Sequence, residues 1–329
     1  MLLRACAVLT RFFPLFLVIF SLLAYATPAQ SKLLAPGVPF YIGTVMLAMG
    51  LTMGLEDFRL VFSRPVVVLL AIALRYVLMP LIALTVTRLL HLGPALAAGF
   101  ILVGCCPSAV ASNVMTFLSR GNTALSVTIS TCNTILAPFL TPWIFLLLAH
   151  SLVPVHAAAM LFDIARIVLL PVLAGVLIRL TLKELVRHIV PFLPAISTIA
   201  LILIVMAGVA LNATKLASVG LIVFLGVVLH NGLGLGIGFF TARRIFRLPQ
   251  ADSQAVAFEV GMENTGLAIA LVIAHLNPAA ALPAAIFGAW HNITGSAAAR
   301  FWAARARSGA QAAGAVDQPR LGAEREVRS

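Results

Sequence analysis

Two carboxylates, Glu259 and Glu263, stand four residues apart in the stretch EVGMENTGLAIAL, whose remaining residues are mostly apolar. A charged side chain at the centre of a bilayer is expensive, and one that is kept there marks an ion path, a proton relay or a ligand site. Two carboxylates this close cannot both ionise cheaply unless cations neutralise them. The chemistry that fits is cation binding. Gly261 and Gly266 permit unwound backbone in the same stretch. A second polar interruption, GCCPSAVASN from Gly104 to Asn113, also sits inside an apolar run. Pro107 there removes a backbone donor and disfavours continuous helix. Where two helices unwind at mid-membrane, free carbonyls can bind cations and free N–H groups can bind anions.

These residues need a scaffold, and the composition names its class. The chain has 329 residues, 62% hydrophobic and 10% charged, with a mean hydropathy of +1.09. A soluble domain carries about 25% charged residues. Apolar runs of about 20 residues, enough to cross the hydrocarbon core, recur from end to end. They are continuous rather than alternating, which points to helices and not to a barrel. The expected class is an all-α polytopic membrane protein. Its spans are placed at 12–28, 38–55, 66–87, 95–119, 123–149, 157–178, 192–211, 217–241, 252–275 and 279–301.

The net charge of +12 does not mark a nucleic-acid binder, because the basic residues fall in short loops where they set topology. One side of the ten-span map holds seventeen of them, among them Arg59, Arg64, Arg120, Arg179, Arg243, Arg244, Arg300 and Arg305, while the other holds Lys32, Arg88 and Lys215. The positive-inside rule then makes both termini cytoplasmic. The transporter domain is expected over residues 1–307 and a disordered polar tail over 308–329. The start of the chain reads either as a first spanning helix or as a cleaved signal peptide ending near AYA, and the charge map favours the helix. Cys6, Cys105, Cys106 and Cys132 lack metal-site spacing and read as small buried residues.

The two interruptions lie in spans four and nine, an offset of five, so the halves of the chain have opposite orientation in the membrane. Paired broken segments at corresponding positions point to the binding site of a secondary transporter built from two inverted five-helix repeats.

Four stretches carry a closer resemblance: ILVGCCPSAVASNVMTFLSRGNTALSVTIS from Ile101 to Ser130, VVLHNG from Val227 to Gly232, EVGMENTGLA from Glu259 to Ala268, and WHNITGS from Trp290 to Ser296. The chain resembles the bile acid:sodium symporter family over nearly all ten spans, the tail excepted. The resemblance implies a panel of spans one, two, six and seven. It also implies a core of spans three to five and eight to ten, in which the broken spans four and nine cross at mid-membrane. It implies Na⁺ as coupling ion, an organic anion as substrate and the lipid bilayer as surroundings.

The family's first sodium site corresponds to Ser112, Asn113, Ser126, Ser130 and Glu259. All five supply oxygen, as a hard cation requires, and Ser126 and Ser130 share one helix face. The second sodium site corresponds to Glu259, backbone carbonyls near Val260 and Met262, the residue at 263 and one residue of span three. Here the chain departs twice, with Glu263 and Arg75 where the family typically has glutamine. An Arg75–Glu263 ion pair occupying that second position is the expectation. The rival reading sends Arg75 into the cavity to receive an anionic substrate. Substrate contacts are expected from Ser108, Val110, Ala111, Asn264, His291 and Asn292. Family members often have GGTASN where this chain has SAVASN, so Val110 lacks a hydroxyl. Substrates in the family range from bile salts to small carboxylates such as pantoate.

His230 and His291 are expected to serve packing more than proton transfer, and Asp163 and Arg166, three apart, to pair with each other. An enzyme finds no nucleophile or metal-ligand set here, and a channel needs no inverted broken pair. A proton-coupled or sodium-independent anion transporter remains the alternative, and no feature of the sequence sets an oligomeric state. The Ala- and Arg-rich composition fits a bacterial inner membrane.

Overall fold

The computed structural model describes residue 6 and residues 8–10, 12–54 and 59–316; Arg4, Arg11 and the tail arginines lie outside them. Among the described residues the chain is helical apart from one isolated antiparallel bridge. The helices are α1 (Phe13–Ala26), α2 (Val38–Thr52), α3 (Pro65–Leu89), α4 (Pro94–Cys105), α5 (Ala111–Leu118), α6 (Thr123–Ala149), α7 (Ala157–Thr181), α8 (Leu193–Leu211), α9 (Ala213–Ile245), α10 (Gln250–Gly261), α11 (Thr265–His275) and α12 (Ala281–Val316). Residues 308–316, expected in a disordered tail, thus belong to α12. Among the described residues, six helical stretches are long and apolar enough to cross a membrane: Pro28–Thr52, α3, α6, α7, Lys183–Leu211 and α9. Helices α1, α4 and α11 are apolar but shorter.

Prolines punctuate these helices where the backbone tolerates them. Five of the twelve carry proline in their first two positions, where the missing N–H costs nothing; in α10 the proline immediately precedes the helix. Inside α3, Pro80 has no N–H for the carbonyl of Tyr76, and a π turn at Leu74–Leu78 absorbs the mismatch. Arg75 rides on that turn.

The stretch GCCPSAVASN ends α4 at Cys106, which is extended (ψ 157°), and α5 starts at Ala111. The stretch EVGMENTG ends α10 at Met262 (ψ 122°), and α11 starts at Thr265 with the Asn264 side chain accepting from the Leu267 N–H at 3.0 Å. The two breaks satisfy each other. The Ala109 N–H donates to the Met262 carbonyl (3.0 Å), and the Asn264 N–H donates to the Pro107 carbonyl (2.9 Å), forming the bridge between Ser108 and Glu263. Buried backbone groups must find partners, and unwound backbone survives at membrane depth only when buried in protein or lining a cavity.

Helix α2 packs on α7 and α8, and α1 packs on α8. The α2–α7 seam is closed by two glycines. A Cβ on Gly50 would stand 2.2 Å from the Val172 carbonyl oxygen, and one on Gly175 would stand 2.5 Å from that of Leu47. Small residues of this kind let membrane helices meet backbone to backbone. Around the breaks, α3 packs on α4, α9 on α10 and α12, α6 on α10, and α12 on both α5 and α11. The core is continuous from Phe13 and Leu17 through Phe100, Ile129 and Val205 to Phe287.

Candidate cation and anion sites at the paired breaks

Glu259 lies in the last turn of α10 and is fully buried. Its Oε1 accepts from the hydroxyls of Ser112 (2.5 Å) and Ser126 (2.6 Å). Ser126 Oγ also stands 2.8 Å from Asn113 Oδ1, and Asn113 Nδ2 donates to Ser130 Oγ at 3.1 Å. The five residues Ser112, Asn113, Ser126, Ser130 and Glu259 therefore come together from α5, α6 and α10. The meeting follows from their placement: Ser112 and Asn113 open the first turn of α5, while Ser126 and Ser130 repeat at helical spacing on α6. Glu259 Oε2 is buried and accepts no hydrogen bond. A carboxylate, three hydroxyls and an amide oxygen form a set a hard monovalent cation can use, and the orphaned Oε2 leaves a lone-pair site for it. These residues fit a sodium ion.

Arg75 stands beside this cradle, fully buried. Its Nη2 is paired with Glu263 Oε2. Its Nη1 donates to the Val260 carbonyl at 2.8 Å and its Nε to the Cys106 carbonyl at 2.9 Å, with Nη2 also on Cys106 and 3.4 Å from the Pro107 carbonyl. The guanidinium thus points into the crossing and not into the cavity. The Met262 carbonyl is occupied by the bridge to Ala109.

The His230–Asn231 pair serves as a tie. His230 Nε2–H donates to the Met79 carbonyl at 3.0 Å, and its Nδ1 lies 4.0 Å from Glu263 Oε1. Asn231 Nδ2 donates to the Gly261 carbonyl at 2.8 Å and its Oδ1 accepts from Thr294 at 2.6 Å, which fixes α9 to α10 and α12.

A cavity opens where the breaks face α1, α2 and α8. Phe13, Leu17, Leu201 and Val205 give its apolar wall; Val110, Ala111, Asn264, His291 and Asn292 give the other. His291 Nδ1 and Asn292 Oδ1 are buried there without hydrogen-bond partners. Ser108, the sixth expected contact, faces away and accepts from Asn133 Nδ2 at 3.2 Å. Val110 does present its side chain to the cavity, with no hydroxyl to offer.

Sequence reasoning passed over Asn133, Thr116 and Thr294. Asn133 is seven residues past Ser126, on the same face of α6, and that spacing was available as a signal. Thr116, which donates to Ser126 Oγ at 3.1 Å, follows Ser112 by one helical turn. One expected pair is corrected: Asp163 meets His275 (2.8 Å) and not Arg166. The end of α11 lies against the start of α7, and tertiary packing overrides the three-residue spacing.

The profile of the sodium bile acid symporter family matches residues 39–219. The chain belongs to this family. It is 38% identical over 295 residues to the sodium-dependent transporter YocS of Bacillus subtilis (strain 168), an alignment covering 90% of this chain and 92% of that one. It is 35% identical over 292 residues to the probable sodium/metabolite cotransporter BASS1, chloroplastic, of Arabidopsis thaliana, covering 88% and 73%. It is 32% identical over 296 residues to the probable sodium/metabolite cotransporter BASS2, chloroplastic, of Oryza sativa, covering 89% and 70%. A sodium bile acid symporter family member with these apolar helices is a multi-pass membrane transporter, not an enzyme.

Proposed function

We propose that the protein is a sodium-coupled symporter that imports an organic anion by alternating access. The observation that carries the reading is the Glu259 cradle, in which four oxygen-bearing side chains from α5 and α6 gather at a buried carboxylate whose Oε2 has no hydrogen-bond partner. Sodium would bind Glu259, Ser112, Asn113, Ser126 and Ser130. The anion would sit in the adjacent cavity, against the N-terminus of α11, whose positive end favours a carboxylate. Asn264, Val110, Ala111, His291 and Asn292 would contact it, and the phenylalanine and leucine wall would face its apolar part. Glu263 does not repel the anion because Arg75 neutralises it.

The seam for movement is the cavity itself. Spans one, two, six and seven form a panel through α1, α2, α7 and α8, and the remaining helices form a core carrying both breaks. The two halves repeat with inverted topology, both termini are cytoplasmic, and the membrane is a bacterial inner membrane. Binding at mid-membrane between two such bodies is the architecture of rocking transport.

A thermal-stability matrix tests this reading. It crosses sodium, potassium and choline with pantoate, ketopantoate and taurocholate, since a ligand that binds only the folded state raises its stability. One anion stabilising only in sodium supports the symporter and names the substrate class. Stabilisation by an anion that follows pH and ignores sodium would favour proton coupling, with His230 and Glu263 as the groups to examine.

A further inference from the structure

We propose that the Arg75 guanidinium is a tethered cation that permanently fills a second cation position, so that the transporter binds and moves a single sodium ion. The inference rests on the reading of the Glu259 cradle as a sodium site.

The oxygens around Arg75 are those a cation site would present. The Cys106 and Pro107 carbonyls stand at the C-terminal end of α4 and the Val260 carbonyl in the last turn of α10, with the Glu263 carboxylate completing the set. Helix C-termini carry partial negative charge, and here two of them converge on one point. A guanidinium meets such a set with directed donors, and it stays charged at any physiological pH.

One mobile cation balances the buried charge, and the guanidinium occupies the oxygens that a second would need. Among the described residues, the buried side chains of Asp, Glu, Lys or Arg type are Arg75, Asp252, Glu259 and Glu263. Asp252 lies elsewhere, paired with Arg64 at 2.6 Å and with Asn122 at 2.8 Å. His230 spends its N–H on the Met79 carbonyl and adds no charge as a neutral imidazole. The crossing therefore holds one positive and two negative groups, a net charge of minus one, and a single monovalent cation at Glu259 brings it to zero. A second mobile cation would have to take its oxygens from the guanidinium, which already holds them with directed hydrogen bonds.

The tether also changes what the site does mechanically. A mobile ion at this place leaves with each cycle and loosens the two breaks, whereas Arg75 holds α3 to both breaks whether or not sodium is bound.

The test is equilibrium binding of radiolabelled sodium to the purified full-length protein, together with the shape of the sodium dependence of thermal stability. The wild type is expected to bind one sodium per chain with a hyperbolic dependence. The double variant Arg75→Gln/Glu263→Gln is close in size, removes both charges together, and restores neutral oxygen ligands around Glu259. It is expected to bind two sodium ions with a sigmoidal dependence. Two sodium ions on the wild type would overturn the tethered-cation inference and leave sodium symport standing. One sodium on both proteins would also overturn it, because the guanidinium would then not be what excludes the second ion. No sodium on the wild type would overturn both readings. Should the double variant fail to fold, the wild-type stoichiometry still decides.

Discussion

Glu259→Gln separates a binding role from a packing role, because the two predict opposite changes in stability. Gln keeps an oxygen to accept from Ser112 and Ser126, now 2.5 and 2.6 Å from Oε1, so the cradle's shape survives. What changes is charge. At an effective dielectric of about 20, a full charge about 2.5 Å from a monovalent ion contributes about 7 kcal/mol before desolvation. Even if less than half remains as net binding, about 3 kcal/mol, sodium affinity falls more than about a hundredfold. The sodium-free protein moves the other way. Its crossing holds Glu259 as a buried charge beyond the neutral Arg75–Glu263 pair, and an uncompensated buried charge costs several kcal/mol. The variant sheds that cost and gains stability in sodium-free buffer, on the order of 2 kcal/mol. In the wild type, sodium at about a hundred times Kd restores about 2.7 kcal/mol. Thermal melts of both proteins in sodium and in choline read all four corners. A variant that melts lower than the wild type in choline, or that still responds to sodium as the wild type does, refutes the argument.

Arg75→Gln alone strands Glu263 and should cost about 3–5 kcal/mol, with Glu263→Gln restoring most of it in the double variant, as read by melting temperature. Asn264→Ala removes the N-cap of α11 at a cost of about 1 kcal/mol and weakens anion binding while sodium affinity stays within about twofold, a split that separate sodium and anion titrations resolve. Gly99→Ala places a Cβ 2.0 Å from the Ala280 carbonyl oxygen. With backbone as the obstacle, the cost should reach at least the 1–3 kcal/mol typical of overpacking, seen as lower folded yield in detergent. His275→Ala should change stability by less than about 1 kcal/mol, because its partner Asp163 is 41% exposed.

The breaks were legible because proline, glycine and clustered polar residues inside apolar runs have few physical explanations. Pro107 and Gly261 mark them directly, and the helices end at Cys105 and Gly261. The cradle's membership came from the family resemblance, while helical spacing put only Ser126 and Ser130 on one face. The mutual bridge between the breaks was not, because hydrogen bonds between Ala109 and Met262 and between Asn264 and Pro107 depend on how two distant segments cross. The direction of Arg75 was open for the same reason. A long side chain on α3 reaches either the cavity or the crossing, and the π turn that aims it at the carbonyls arises from Pro80, five residues on. Ser108 was expected at the cavity, but its hydroxyl accepts from Asn133 Nδ2 instead.

The fixed guanidinium has an energetic consequence for transport. A carrier that moves a monoanion with one sodium ion moves no net charge, whereas one that moves it with two moves a positive charge inward. Each elementary charge crossing 100 mV is worth about 2.3 kcal/mol, and a tenfold sodium gradient about 1.4 kcal/mol. Giving up the second ion therefore forgoes about 3.7 kcal/mol of accumulation, several hundredfold in substrate ratio. In exchange, the crossing of α4/α5 with α10/α11 gains a brace through the Cys106, Pro107, Val260 and Glu263 oxygens that does not depend on a bound ion. A protein built this way relies on the sodium gradient alone, and uptake continues when the membrane potential collapses.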